Sequence, residues 1–221
     1  MNLVVENNRK CLTKVKQFMS REKWLSSIDL YGLPAHCYKI IDKPLTNDLT
    51  YSDYIVYLIN KYKLTNYLEI GISVLKNIFQ VASNTNAKIS GFDINDLNDE
   101  IVLPRPIHFF KGNVLVKNDW LPLKETNQKH DIIFSDALHS EEGIKAEYDN
   151  YYLEQHLADK WIIIYDDAYP HIVSHIKQYI EPRLDVKFSK TVNIEGWVNG
   201  YRHPIYIISN REELVNDFKD A

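Results

Sequence analysis

Two short stretches place carboxylates and an imidazole where chemistry could follow. FSDALHS sets Asp136 three residues ahead of His139, and WIIIYDD ends a run of isoleucines on Asp166 and Asp167. Adjacent carboxylates repel each other, and one held charged beside a core strand is costly. Such a group of acids needs a counter-charge. A hard divalent cation such as Mg2+ supplies one, takes oxygen ligands and keeps positions open for water or substrate. A salt bridge to Lys145 or Arg202 would also answer the need, as would an Asp turned away to cap the next helix. His139 is the candidate general base, since an imidazole with an ordinary pKa of about 6.5 exchanges its proton near neutrality. A lone histidine at such a place is more commonly a turn or helix-start residue.

These residues need elements that bring them together. The pattern predicts strands at NYLEIG (66–71), AKISGFDIN (87–95), IHFFKGN (107–113), HDIIFSDA (130–137), KWIIIYDD and HPIYIIS (203–209). Helical spacing falls between them, in SVLKNIFQVASNT, SEEGIKAEYDNYYLEQHL (140–157, with Ser140 a cap), YPHIVSHIKQYIEPRL and the closing REELVNDFKDA. Another helix, TYSDYIVYLINKYKL, is capped at Thr50 or Ser52. Alternating strands and helices argue for a mostly parallel sheet with helices on both faces, and the nearly continuous apolar strands fit that burial. In such sheets ligands bind beyond the carboxyl ends of the strands. Those ends carry Glu69 and Gly71, then Asp93, Asn113, Asp136, Asp166 and Asp167. Asp is also a good turn former, so any one of them reads as plain loop chemistry. Gly71 would let backbone approach a ligand closely, although Ser73 stands where a second glycine is usual. Asp93 ends the next strand at a spacing suited to ribose hydroxyls.

Composition narrows the classes. The 221 residues are 45% hydrophobic and 25% charged, as in ordinary folded proteins. The net charge of −4, with no basic run, argues against nucleic acid. The two cysteines, Cys11 and Cys37, make neither a disulfide framework nor a zinc pattern, and no apolar run approaches membrane-spanning length. Cytoplasmic residence without a membrane partner is the expectation; homo-oligomerisation is compatible with the sequence.

From about Thr50 to Asn210 the chain resembles class I S-adenosylmethionine-dependent methyltransferases. More narrowly, it looks like the metal-dependent O-methyltransferases of the macrocin and antibiotic-sugar group and the cephalosporin-hydroxylase-like group. YLEIG, GFDIN, DIIFSDALHS and WIIIYDDAY carry the resemblance. It implies an α/β, Rossmann-like three-layer sandwich whose seven-stranded, mostly parallel sheet has an antiparallel last strand. It implies S-adenosyl-L-methionine as cofactor, bound through Glu69, Gly71, Ser73, Asp93, Asn113 and Asp136, with Gly71 and Ser73 by the methionine part, Asp93 on the ribose and Asn113 near the adenine. Asp136, Asp166 and Asp167 would ligate Mg2+ or another hard divalent cation, with His139 as base and a small-molecule hydroxyl as acceptor. Residues 1–49 would form a helical extension or lid over a domain of 50–221. In that extension Leu12, Val15, Phe18 and Met19 have helical spacing within a helix over residues 1–30, and Tyr31, His36 and Tyr38 are candidate acceptor contacts. The loop NIEGWVNGYRHP offers Trp197, Tyr201 and Arg202 as further contacts, or a hairpin with an aromatic anchor. A non-catalytic relative that no longer binds the cofactor, or a metal-dependent hydrolase on the same architecture, are the competing readings.

Overall fold

A computed structural model describes residues 2–19, 43–97, 101–151, 153–200 and 202–218. The expected helix beyond residue 19, along with Tyr31, His36, Tyr38 and Tyr201, lies outside the described residues. The first helix, α1 (Asn2–Met19), turns Cys11, Leu12, Val15 and Phe18 onto Val74, Phe79, Trp197 and Val198. A polar pin complements this seam. Asp53 is fully buried, and Arg9 Nη2 and Asn8 Nδ2 donate to its carboxylate at 2.9 and 2.8 Å. Asp53 also completes the capping box of α2 (Tyr51–Tyr62). Thr50 N–H donates to Asp53 Oδ2 at 2.8 Å, and Asp53 N–H returns to Thr50 Oγ1 at 3.2 Å.

Seven strands follow, β1 (Asn66–Ile70), β2 (Lys88–Asp93), β3 (His108–Lys111), β4 (His130–Ser135), β5 (Leu157–Tyr165), β6 (Phe188–Glu195) and β7 (Arg202–Ser209), in the order β3-β2-β1-β4-β5-β7-β6. All neighbouring pairs through β5 are parallel, and β7 runs antiparallel to both β5 and β6. The expected antiparallel strand is therefore present, enclosed between β5 and β6. β6 is the strand the sequence pattern does not reveal. It lies at the sheet edge and alternates exposed Ser189 and Thr191 with partly covered neighbours, so its apolar signal is weak.

The sheet is buried on both sides. Ile132, Phe134, Ile162, Ile164, Ile205 and Ile207 face α2 and α3 (Lys76–Asn84). Their alternates Ile133, Ile163, Tyr206 and Ile208 face α5 (Glu141–Tyr151) and α6 (Pro170–His175), which continues as a π turn over Ile176–Ile180. This two-sided burial is why the strands read as unbroken apolar runs. A short α4 (Leu121–Glu125) and α7 (Glu212–Asn216) complete the described α-helices. Among the described residues no helix is long and apolar enough to cross a membrane.

The register sets the level of the strand ends. Ile70 pairs with Ser135, and Ser135 with Tyr165, so β1, β4 and β5 end in one row. Tyr165 pairs in turn with Tyr206. Since β7 is antiparallel, the residues preceding Tyr206 extend past the end of β5 onto the same edge.

Candidate active site

The loop after β1 is shaped by contact with the loop after β4. Gly71 has φ +84°, and a Cβ there would stand 2.3 Å from the Asp136 carbonyl oxygen. Gly71 N–H donates to Phe92 O at 2.8 Å, and Asp136 N–H to Ile70 O at 2.7 Å. Ser73 and Leu75 also take left-handed backbone, at φ 50° and 62°, and for this reason α3 begins only at Lys76. Asp93 holds this loop: its Oδ2 accepts from Ile72 N–H at 2.6 Å and Ser73 N–H at 3.0 Å, and its Oδ1 accepts from Asn95 N–H at 2.8 Å. A carboxylate has about four acceptor positions. Three are used among the described residues.

Glu69 lies beneath the loop, 1% exposed, accepting from Tyr67 Oη at 2.7 Å and Asn77 Nδ2 at 3.2 Å. Burial raises its pKa to about 8, with the Tyr67 hydrogen bond opposing the shift and Asp136 adding to it. Asn113 sits after β3 in a turn of its own. Its N–H donates to Asp119 Oδ2 at 2.8 Å, and its Oδ1 accepts from Leu115 N–H at 3.0 Å.

The acidic edge gathers beside this loop. His139 Nε2 is 3.3 Å from Asp136 Oδ1 and 3.9 Å from Asp167 Oδ2. Burial opposes charge on His139, but the hydrogen bond to Asp136 and the charges of Asp136, Asp166 and Asp167 outweigh it and raise the pKa to about 9. Ser140 caps α5 as expected, with Gly143 N–H on its Oγ at 3.0 Å. A Cβ on Gly143 would lie 2.4 Å from Leu138 O, so the DALHS loop is folded tightly onto its helix. Beneath it Ser135 Oγ donates to the buried Glu147 at 2.7 Å.

Asp166 is 4% exposed, and its Oδ1 has no hydrogen-bond partner. Burial and the neighbouring Asp136 raise its pKa to about 7, while His203 works the other way. Asp167 adopts φ +45°, a conformation a non-glycine residue holds at a cost. Neither acid caps α6, which starts at Pro170 without a side-chain cap. Lys145 pairs with Asp149 at 2.6 Å. Arg202 Nη2 donates to Asn193 O at 3.0 Å.

The counter-charges that face the acids were not legible in the motifs. His203 Nδ1 lies 3.1 Å from Asp167 Oδ1 and 3.6 Å from Asp166 Oδ1, and one ligand atom each from Asp166, Asp167 and His203 fall within 4.8 Å of one another. Ala168 N–H donates to Pro204 O at 2.7 Å, which fixes the two segments side by side. Lys76 Nζ lies 4.6 Å from the Tyr51 ring centroid, donates to its hydroxyl, and lowers the pKa of both Glu69 and Asp166 through its charge. His203 belongs to the GYRHP stretch. An antiparallel register for β7 was the signal that could have found it. Trp197, from the same loop, is buried against α1 as an anchor.

No family model matches the sequence, and no curated protein does. Solved structures share the fold. The O-methyltransferase TomG from Streptomyces achromogenes, in complex with SAM, is 14% identical with a TM-score of 0.57, over 91% of this chain and 90% of its own. The O-methyltransferase from Bacillus cereus, in complex with SAH, is 16% identical with a TM-score of 0.56, over 89% and 97%. The MycE methyltransferase from the mycinamycin pathway, in complex with Mg and SAH, is 13% identical with a TM-score of 0.49, over 73% of this chain. This chain spans 49% of that enzyme's length. The TomG and Bacillus cereus structures thus share the Rossmann-like fold of this chain.

Proposed function

We propose that this chain is an S-adenosylmethionine-dependent O-methyltransferase that uses Mg2+ or another hard divalent cation. Its acceptor is a hydroxyl of a small molecule, of sugar, polyol or natural-product type. One arrangement carries the reading: Asp136, His139, Asp166 and Asp167 converge beside the Gly71 loop on a methyltransferase-type sheet edge. Glu69, Gly71, Ser73, Asp93, Asn113 and Asp136 are assigned to the methyl donor. Asp136, Asp166 and Asp167 are assigned to the cation, and the buried Asp166 Oδ1 without a hydrogen bond is the kind of atom a cation would satisfy.

A bound cation lowers the pKa of an acceptor hydroxyl and orients it. His139 takes the hydroxyl proton, and Asp136, 3.3 Å away, aims the ring. His139 is held charged by the surrounding carboxylates, so it is free to act as a base once their charge is compensated. Two cysteines in the whole chain and the absence of a long apolar helix among the described residues support a cytoplasmic place. The working partner is then a small molecule, with no nucleic acid or membrane.

Calorimetry with S-adenosylmethionine, then methyl-transfer assays across candidate acceptors with and without EDTA, test the reading. Binding in the micromolar range and activity lost in EDTA or in Asp136→Ala are expected. Full activity in EDTA would remove the cation from the scheme. A second reading, a non-catalytic protein of this fold, draws on Asp93 being already engaged by the N–H groups of Ile72 and Ser73. No donor binding with or without Mg2+ would favour it.

A further inference from the structure

We propose that His203 is a nitrogen donor to the cation at Asp166 and Asp167, making this centre selective for a first-row transition-metal ion over Mg2+. The proposal rests on the metal-dependent reading above and extends it to the identity of the ion.

Placement comes from the sheet. Tyr206 pairs with Tyr165 at the end of β5, and the antiparallel course of β7 carries His203 three residues past that level. His203 shares the face of Ile205 and Ile207, so its ring turns toward α2. There it meets the edge of Tyr51, at 5.8 Å between centroids and 89° between planes. Tyr51 is itself stacked on Phe134 at 5.1 Å. The imidazole is therefore oriented by packing, as supporting residues orient a metal-binding histidine.

The spacing suits one ion. Two ligand atoms at right angles, each about 2.1 Å from an ion, stand about 3 Å apart. His203 Nδ1 is 3.1 Å from Asp167 Oδ1 and 3.6 Å from Asp166 Oδ1. A separate observation points to a missing ligand: Asp166 is 4% exposed, yet its Oδ1, the atom that faces His203, accepts no hydrogen bond. Asp167, whose Oδ1 faces His203, has φ +45°. Imidazole suits Zn2+, Co2+, Fe2+ and Ni2+, whereas Mg2+ prefers an all-oxygen shell. A nitrogen among the donors thus shifts preference toward the transition metals.

The test uses purified full-length protein, stripped with EDTA and then reloaded. Pulsed EPR on the Mn2+-loaded wild type is expected to show nitrogen modulation from a bound imidazole. The signal should persist in His139→Asn and vanish in His203→Asn. Calorimetry is expected to give His203→Asn at least about tenfold weaker Co2+ binding, with Mg2+ affinity changed by less than about threefold. Mn2+ bound without nitrogen modulation in the wild type overturns the His203 assignment and leaves the carboxylate site standing. Equal losses for Co2+ and Mg2+ in His203→Asn overturn the selectivity. No binding of any of the three ions to the wild type overturns both this proposal and the metal-dependent reading. A wild-type spectrum without nitrogen modulation overturns the ligation even if a variant fails to fold, and modulation that is lost in His139→Asn overturns it as well, because His139 also lies beside these acids.

Discussion

Gly71 and Asp136 belong to different loops and touch through backbone: a Cβ on Gly71 would stand 2.3 Å from the Asp136 carbonyl oxygen. The contact joins the loop assigned to the methyl donor to the loop that carries His139. Gly71→Ala adds a clash to an unfavourable positive φ, since both the space and the backbone angle are wrong for a side chain. The expected cost is about 2–5 kcal/mol, summing strain and overpacking. Urea unfolding measures it. A change below about 0.5 kcal/mol would show that the two loops do not meet as described.

Asp166→Asn is expected to separate stability from function. Burial and the nearby Asp136 raise the Asp166 pKa to about 7. A carboxyl whose folded pKa exceeds its unfolded value contributes stability below the unfolded pKa, and that stability is lost as pH rises through the folded pKa. In EDTA at pH 8 the wild type has lost it. Asp166→Asn should then be more stable than wild type by about 1–3 kcal/mol, while methyl transfer is abolished. Paired thermal melts at pH 5 and pH 8 check the sign, since the advantage should shrink at the lower pH.

His130 sets an acid limb with the opposite sign. It is fully buried, its Nε2 lies 2.9 Å from Tyr151 Oη, and burial lowers its pKa to about 3, with His156 adding to the effect. Its neutral form favours the fold, so stability present above pH 6.5 is lost as pH falls from about 6.5 toward 3, by up to about 1.4 kcal/mol per pH unit. His130→Phe should flatten that slope in chemical denaturation across the window. An unchanged slope would assign the acid limb to other groups.

Arg9→Ala tests the docking of α1. Arg9 is the charged partner of the buried Asp53, at 2.9 Å, and Asn8 and Thr50 remain as neutral partners. Removing one side of a buried pair strands the other charge, and about 3 kcal/mol of destabilisation is expected. Hydrogen exchange should show added exposure in α1 and the first turn of α2. Protection unchanged from wild type would mean that α1 is held by Leu12, Val15 and Phe18 alone.

Much of the architecture was legible because it is written in periodicity. Ile162–Ile164 and Ile132–Phe134 are apolar without a break because both faces are covered, and Asp136, Asp166 and Asp167 then fall together as strand-end residues. Thr50 and Ser140 signalled the starts of α2 and α5 by cap chemistry. What stayed hidden depends on tertiary pairing. β6 lies at an edge and lacks an apolar run. His203 reaches the acids only because β7 inserts antiparallel between β5 and β6; the antiparallel last strand was expected, but its place beside β5 depends on pairing that nothing within GYRHP announces. Lys76 belongs to no motif in the sequence, yet its ammonium lies over Tyr51. The left-handed backbone at Ser73 likewise accompanies the hold of Asp93 on its N–H, a contact between two loops.

The insertion of β7 also governs where this chain tolerates a change in length. A strand alternates faces every residue, so one residue added between His203 and Tyr206 would swing the imidazole through the sheet, away from Asp166 and Asp167. A few residues earlier, at Gly200, the hairpin tip is open, with nothing within 4 Å of where a Cβ would stand. Asn199 N–H is still held by Pro44 O at 2.9 Å, so variation in chain length should accumulate at 200 and stop short of 203. The same hairpin would then carry a freely drifting end and an invariant one within the span of a single turn.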